Sequence, residues 1–206
     1  MRLKTIAAAI ALALPAFAFA QAATAWKEDF CDMWSGGDGG CSKTVSNVTV
    51  QINVSPSDAG KPGAFFIGAR ATSGTPGSTA NINYDTIALW LYTPTGWKQF
   101  NGGTYEPIEF FTTGMPAGRN YLVADHQDLC ALVTDKNMEL WAGYGVLQPD
   151  KAAAVDTYLT LKTRNIPPDH LRAVYVYNDM KEAKKYWNVL NMSACYGPSD
   201  SGGGGS

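Results

Sequence analysis

The sequence predicts a mostly β protein, an antiparallel β-sandwich with one C-terminal α-helix. Three observations support this prediction. Apolar and polar residues alternate with a period of two in several short segments, turn residues rich in Gly, Pro and Asn separate these segments, and helical periodicity is confined to the end of the chain. An aromatic content of 12% with only 17% charged residues also fits a secreted β-rich domain better than a disordered chain.

Both ends of the chain are expected to lie outside the folded domain. Residues 1–20 have the zones of an export signal: Arg2 and Lys4 are basic, residues 6–14 are apolar, and a small-x-small cleavage site precedes Gln21. The apolar run is shorter than the roughly 20 residues that span a bilayer. Residues 199–206 have the composition of a flexible Gly/Ser tail. We therefore expect an exported protein, extracellular, at the cell surface or periplasmic, with no transmembrane segment.

Four cysteines follow the signal, and an even number in an oxidising compartment predicts disulfides. Three connectivities are possible. We favour Cys31–Cys41, which closes a short Gly-rich loop, and Cys130–Cys195, which ties the end of the domain to its middle. The metal-site alternative lacks a CxxC pair and a nearby His. The chain is accordingly divided into a disulfide-closed N-terminal segment at residues 21–44 and a β-sandwich domain at residues 45–198.

The strands are predicted in chain order from alternation and from the turns between them. Residues 45–54 have the clearest pattern, because their β-branched side chains share one face while Thr, Gln and Asn share the other. A mostly buried strand follows at residues 64–71, and then a long polar loop at residues 72–84. The remaining strands are expected at residues 86–92, 96–100, 108–112, 120–124, 138–146 and 172–177.

One helix is predicted at residues 179–190. Asp179 stands at the expected N-cap and Glu182 follows three residues later, as in a capping box. Met180, Ala183 and Trp187 then recur on one helical face. Residues 151–155 are expected to form at most one further helical turn.

Several segments in this order resemble a known kind of module. They are residues 48–63 (VTVQINVSPSDAGKPG), 91–103 (LYTPTGWKQFNGG), 128–129 (DL), 139–145 (ELWAGYG) and 173–177 (AVYVY). They are similar to an extracellular β-sandwich module of secreted proteobacterial proteins, some of which accompany type IV pilus tip and adhesin proteins. The resemblance implies the fold and an extracellular location. The long loop, the cysteines and the late helix depart from it, so it does not imply a shared partner.

The sequence contains no set of residues that amounts to a catalytic site. His126 lies beside Asp125 and near Asp128, but no nucleophile elbow and no further metal ligands at suitable spacing accompany it. We therefore expect a polar loop there, and no metal or cofactor. A secreted hydrolase that uses Asp125 and His126 with Glu109 or Glu139 remains an alternative.

The candidate binding residues are aromatic. Trp90, Tyr92, Trp97 and Tyr105 lie close together around a predicted hairpin, and the first two share one face of their strand. If that face is exposed, these side chains form a platform that can stack on a sugar ring or bury against a partner subunit. If it is covered, for example by Trp187 of the late helix, they belong to the core.

The charge balance narrows the classes of partner. The signal holds two of the 16 basic residues and none of the 18 acidic ones, so the mature chain has a net charge of −4 with His neutral. Nucleic acid is disfavoured because it requires a dense basic stripe. The sequence favours a non-enzymatic exported protein that acts by protein contact or self-assembly, as a component of a surface appendage, filament or adhesin. A carbohydrate-binding module is the alternative.

Overall fold

The computed structural model of the protein describes residues 23–34, 41–72, 88–133, 137–160 and 167–192. These residues form nine strands and three helices. In chain order the elements are β1 (Ala23–Trp34), β2 (Cys41–Asn53), β3 (Gly63–Thr72), β4 (Ala88–Thr93), β5 (Gly96–Gln99), β6 (Glu109–Phe111), β7 (Gly118–Gln127), α1 (Leu129–Val133), β8 (Asn137–Val146), α2 (Pro149–Thr160), α3 (Pro168–Glu182) and β9 (Tyr186–Met192). No helix in this part of the chain is both long and apolar enough to cross a membrane.

The strands form two antiparallel sheets that pack as a β-sandwich, which confirms the predicted fold class. The small sheet has the order β1-β2-β7, and the large sheet has the order β5-β4-β3-β8-β9, with β6 also paired with β3. All strand pairs are antiparallel. The long central strands β2, β3 and β8 thus form the middle of each layer.

The main core lies between the two sheets because alternate residues of the central strands turn apolar side chains towards it. Val50 and Ile52 of β2, Phe65 of β3 and Tyr144 of β8 are fully buried there. Tyr121 of β7 meets the Phe65 ring edge-on, with the ring centroids 6.2 Å apart. The alternation predicted for residues 45–54 is therefore the inward face of β2.

A second core lies between the other face of the large sheet and α3. Phe66 of β3 packs there with Val176 and Met180 of α3. The helix approaches β8 so closely that a Cβ on Gly145 would collide with the Val176 carbonyl oxygen. The fold therefore has three layers: the small sheet, the large sheet, and the helices α2 and α3.

The assignment of the C-terminal elements from sequence was wrong. Residues 172–177, predicted as a strand, lie in α3, and residues 186–190 of the predicted helix belong to β9. Asp179 is therefore not an N-cap but stands in the last turn of α3, where its carboxylate accepts hydrogen bonds from Val146 N at 2.9 Å and Gln148 Nε2 at 2.7 Å. Apolar residues at 174 and 176 give the period of two that is typical of a strand. The residues that are buried, at 173, 176 and 180, follow the spacing of a helix.

The N-terminal segment is a regular strand, which the sequence did not predict. β1 pairs with β2 along most of its length, and the Cys31–Cys41 disulfide joins the two strands as predicted. Cys130 is also disulfide-bonded. Its expected partner Cys195 lies outside the described residues, as do the signal, residues 73–84 of the predicted loop and the Gly/Ser tail. α2 is longer than the single turn expected at residues 151–155.

Candidate functional site

The structure divides the four predicted aromatic residues between two places. Tyr92 and Trp97 pair across the β4–β5 hairpin, with ring centroids 5.0 Å apart, and Trp90 shares the face of Tyr92. Tyr92 Oη donates a hydrogen bond to Leu122 O at 2.9 Å, and Trp97 Nε1 donates one to Val123 O at 2.8 Å. These bonds satisfy backbone carbonyls of β7, an edge strand of the small sheet, and so protect an edge that could otherwise pair with another chain.

Tyr105 lies on the other side of the large sheet. Its ring stacks on Tyr177 of α3, with centroids 4.2 Å apart and planes 6° apart, and on Phe100 at 4.4 Å. The Lys181 ammonium lies 5.7 Å from the centre of the Tyr177 ring. Both faces of Tyr105 are therefore occupied by other rings. The four predicted residues do not form a single platform.

An apolar groove of about 100 Å³ lies next to these rings, between α3 and the large sheet. At one end, buried Arg70 donates from Nε to Glu139 Oε2 at 2.6 Å, and Trp141 Nε1 donates to the same oxygen at 2.9 Å. The carboxylate of Glu139 is thereby engaged by two donors. This arrangement is that of a structural ion pair.

The carboxylates of the hydrolase alternative are not assembled around His126. His126 is exposed near the end of β7, where its Nδ1 lies 3.0 Å from Asp125 Oδ1. Glu109 accepts a hydrogen bond from Tyr121 Oη at 2.7 Å and is only partly buried. The pKa of Tyr121 is raised, mainly because the phenol is buried and also because it donates this hydrogen bond to Glu109. Glu139 lies on the far face of the large sheet, so the described residues do not bring either glutamate to His126.

Three of the four exposed large apolar side chains of the described residues lie on the small sheet, and the fourth, Trp97, belongs to β5 of the large sheet. Among the described residues, Trp26 is 40% exposed, Phe30 40%, Leu122 46% and Trp97 39%. Trp26 pairs with Thr49 of β2, and Thr49 pairs with Leu122 of β7, so these three form one row across the sheet. Phe30 lies four residues further along β1 and stacks on the His126 ring at 5.2 Å. Apolar groups therefore project from the side of the sheet that faces away from the core.

Polar rows flank the apolar row. Thr24, Gln51 and Asn120 are paired across the three strands on one side of it, and Glu28 is paired with Asn47 on the other. In the part of the chain that the structure describes, the side chains of Thr24, Thr49, Gln51 and Asn120 make no hydrogen bond. We call the surface made by these rows the outer face; it comprises Thr24, Trp26, Glu28, Phe30, Asn47, Thr49, Gln51, Asn120, Leu122 and His126.

Sequence reasoning missed the outer face because β1 lacks clean alternation. Trp26 and Phe30 share one face of β1 with Thr24 and Glu28, while Ala23 packs inward. Both faces of this strand thus mix polar and apolar residues. The recurrence of two aromatic residues four apart was the one available signal, and it indicates a shared strand face only if the segment is known to be a strand.

A buried charged cluster connects the turn after β2 with β8 and the end of α3. Lys185 Nζ lies 3.0 Å from both Asp58 Oδ2 and Asp179 Oδ2, and Tyr144 Oη donates to Asp58 Oδ2 at 3.2 Å. Burial alone would raise the pKa of Asp58, but the hydrogen bonds and charges of Lys185 and Lys61 outweigh it, so the pKa is lowered. The charges of the cluster are paired with one another. The cluster therefore has a structural role, since it links the turn after β2, β8 and the end of α3.

Comparison with known proteins finds no family model, curated protein or solved structure that matches this chain. The described residues also contain no group of three or more His, Cys, Asp or Glu side chains placed to hold a metal ion. The candidate functional site is the outer face.

Proposed function

We propose that this is a non-enzymatic exported protein that acts by contact, as a component of a surface appendage, filament or adhesin. The observation that carries the proposal is the outer face, where Trp26, Phe30 and Leu122 project into solvent from one side of the small sheet. A single exposed apolar residue is ordinary. Several in register on one rigid surface are typical of an interaction site.

The rigidity of the outer face supports a role in recognition. Its central strand β2 is anchored by Val50 and Ile52, which are fully buried against the large sheet. The Cys31–Cys41 disulfide holds β1 against β2 near Phe30. A surface that is already ordered before binding loses little conformational entropy on contact, which favours affinity.

Export supports the same proposal. A disulfide between two strands is characteristic of proteins that fold in an oxidising compartment. The N-terminal residues have the composition of a cleavable signal. An exported protein that presents an apolar face has its partners outside the reducing cytoplasm.

A binding assay on cells tests the proposal. The labelled mature protein is added to cells that produce it, and retention is compared for wild type, Trp26→Ser/Leu122→Ser and Val174→Ser. Val174 is a partly exposed apolar residue of α3, on the opposite side of the molecule, and serves as the matched control. We expect wild type and the control to be retained, and the double variant to lose about ten-fold or more in affinity. Each variant is first checked for an unchanged unfolding midpoint.

Two results would contradict the proposal. The first is absence of retention of the wild-type protein. The second is equal retention of the folded double variant, which would show that the outer face does not make the contact.

A further inference from the structure

We propose that the outer face binds a neutral glycan chain. This inference rests on the proposed function, because it names the ligand class of the same surface. Three properties of the outer face support the inference: the alternation of apolar and polar rows, its charge and its area.

The rows alternate between the two kinds of group that a sugar presents. The row Trp26–Thr49–Leu122 is largely apolar, and the neighbouring row Thr24–Gln51–Asn120 consists of hydroxyl and amide groups. Successive rows on one face of a strand are about 7 Å apart. A pyranose ring has an apolar C–H face and a rim of hydroxyls. An extended chain of such rings can place its C–H faces on Trp26 and Phe30 and its hydroxyls on the polar rows.

The polar side chains of the outer face are suited to hydroxyl groups. Amides and hydroxyls offer both donors and acceptors, which matches a sugar hydroxyl that both donates and accepts. No hydrogen bond within the described part of the chain engages the side chains of Thr24, Thr49, Gln51 or Asn120. Asn47 uses its Oδ1 to accept from His126 N at 2.7 Å, and no described group accepts from its amide donors.

The charge of the outer face selects against anionic polymers. Its rows contain Glu28 and His126 but no Lys or Arg. The nearest basic residue of β1 is Lys27, which lies on the other face of the strand from Trp26. It forms an ion pair with Asp29 at 2.8 Å. Arg119 of β7 is likewise paired with Glu109, at 3.1 Å. Lys43 of β2, which lies beyond the Phe30 row on the same face of its strand, is paired with Asp32 at 3.0 Å. A sulfated or uronic acid polymer would therefore find no Lys or Arg among the described residues here that is not already paired, whereas a neutral glycan needs none.

The area of the outer face favours a narrow ligand over a second copy of the chain. Three strands at about 4.8 Å and four rows at about 7 Å cover roughly 400 Å². A stable protein–protein contact buries about 800 Å² on each partner. As a flat footprint, the described face is therefore smaller than a stable dimer contact, and it suits a single extended chain lying across the rows.

A glycan array tests the inference directly. The disulfide-bonded mature protein is probed against neutral oligosaccharides of glucose, N-acetylglucosamine, mannose and galactose, beside sulfated and uronic acid oligosaccharides. We expect binding to at least one neutral series and none to the anionic ones. Titration with the best neutral hit should give a Kd that rises about ten-fold or more in Trp26→Ala and less in Trp26→Tyr, which keeps an aromatic ring. Val174→Ser should bind as wild type does.

The inference is overturned if no neutral oligosaccharide binds, if anionic ones bind equally well, or if folded Trp26→Ala binds like wild type. Its failure is distinguishable from failure of the proposed function by treating the cells of the retention assay. If retention needs Trp26 and is abolished by protease but not by glycosidases, the partner is a protein and only the glycan inference fails. If retention does not depend on the outer face, both proposals fail.

Discussion

Lys185 is the residue at which three parts of the molecule meet. Its ammonium lies between Asp58 of the turn after β2 and Asp179 at the end of α3, above the ring of Tyr144 of β8. Burial alone would lower the pKa of Lys185, but the hydrogen bonds and charges of Asp58 and Asp179 outweigh it, so the pKa is raised. The charged lysine thus stabilises the fold by compensating two carboxylates that are themselves nearly buried.

Replacing Lys185 should destabilise the fold strongly. Lys185→Met leaves two carboxylates close together without the cation that they share, and we expect a loss of about 3 kcal/mol in the free energy of unfolding at pH 7. Urea unfolding measures the loss, and Lys184→Met, at the exposed neighbouring lysine, is the matched control. A loss no larger than that of the control would show that the cluster does not stabilise the fold.

The contribution of this cluster should depend on pH in a defined direction. Asp58 has a lowered folded-state pKa, so its contribution is present above about pH 4 and is lost as the pH falls through that lowered value. Lys185 has a raised folded-state pKa, so its contribution to stability is present below about pH 10 and is lost as the pH rises through the raised pKa. The difference between wild type and Lys185→Met should therefore be constant near neutrality and shrink at both extremes.

At the scale of elements, β1 links the stability of the fold to the outer face. It is an edge strand of the small sheet and carries both Trp26 and Phe30. Its end is joined to the start of β2 by the Cys31–Cys41 disulfide. The other edge of the sheet, β7, is held by Tyr92 and Trp97 of the β4–β5 hairpin. These two side chains, which the sequence predicts as ligand-binding residues, thus also support the sheet.

Removing the disulfide should loosen β1 before the rest of the molecule. Cys31→Ser/Cys41→Ser reopens a loop of about ten residues, and chain entropy predicts a loss of about 3 kcal/mol in stability. Hydrogen exchange should show protection falling mainly in β1, together with weaker retention on cells. The buried central strand β3 serves as the internal reference. Unchanged protection of β1 would mean that its pairing with β2 alone holds the strand.

At the scale of the whole molecule, the two faces of the small sheet differ in burial. Its inner face completes the core with Val50 and Ile52, whereas its outer face leaves Trp26 and Phe30 partly in solvent. Stability should therefore depend on the inner face, and contact on the outer one. This separation makes the contact role testable without unfolding the protein.

Thermal and urea unfolding should show that stability depends on the inner face and not on the outer face. We expect Trp26→Ser and Phe30→Ser each to cost less than about 1 kcal/mol, because these side chains are substantially exposed. Phe65→Ala, at a fully buried position between the sheets, should cost about 3 to 5 kcal/mol. If the two exposed variants were as destabilising as Phe65→Ala, the outer face would have to be assigned to the fold and not to contact.

The sequence by itself determined the central strands and the sandwich class. Strands β2, β3 and β8 coincide closely with the strands predicted at residues 45–54, 64–71 and 138–146. Burial of one or both faces of a strand produces a pattern of apolar and polar residues that can be read from neighbours in the chain. The Cys31–Cys41 disulfide was predictable for a similar reason, since its two cysteines lie close together in sequence.

Only the tertiary structure decided the C-terminal elements and the composition of the outer face. Residues 172–177 satisfy both strand and helix spacing, and packing of Val176 against Gly145 of β8 selects the helix. Trp26, Thr49 and Leu122 form one row only through the pairing of β1 and β7 with β2. Local patterns record which side of a strand is buried, but the partners of that strand are set by contacts between residues far apart in the chain, which no local pattern contains.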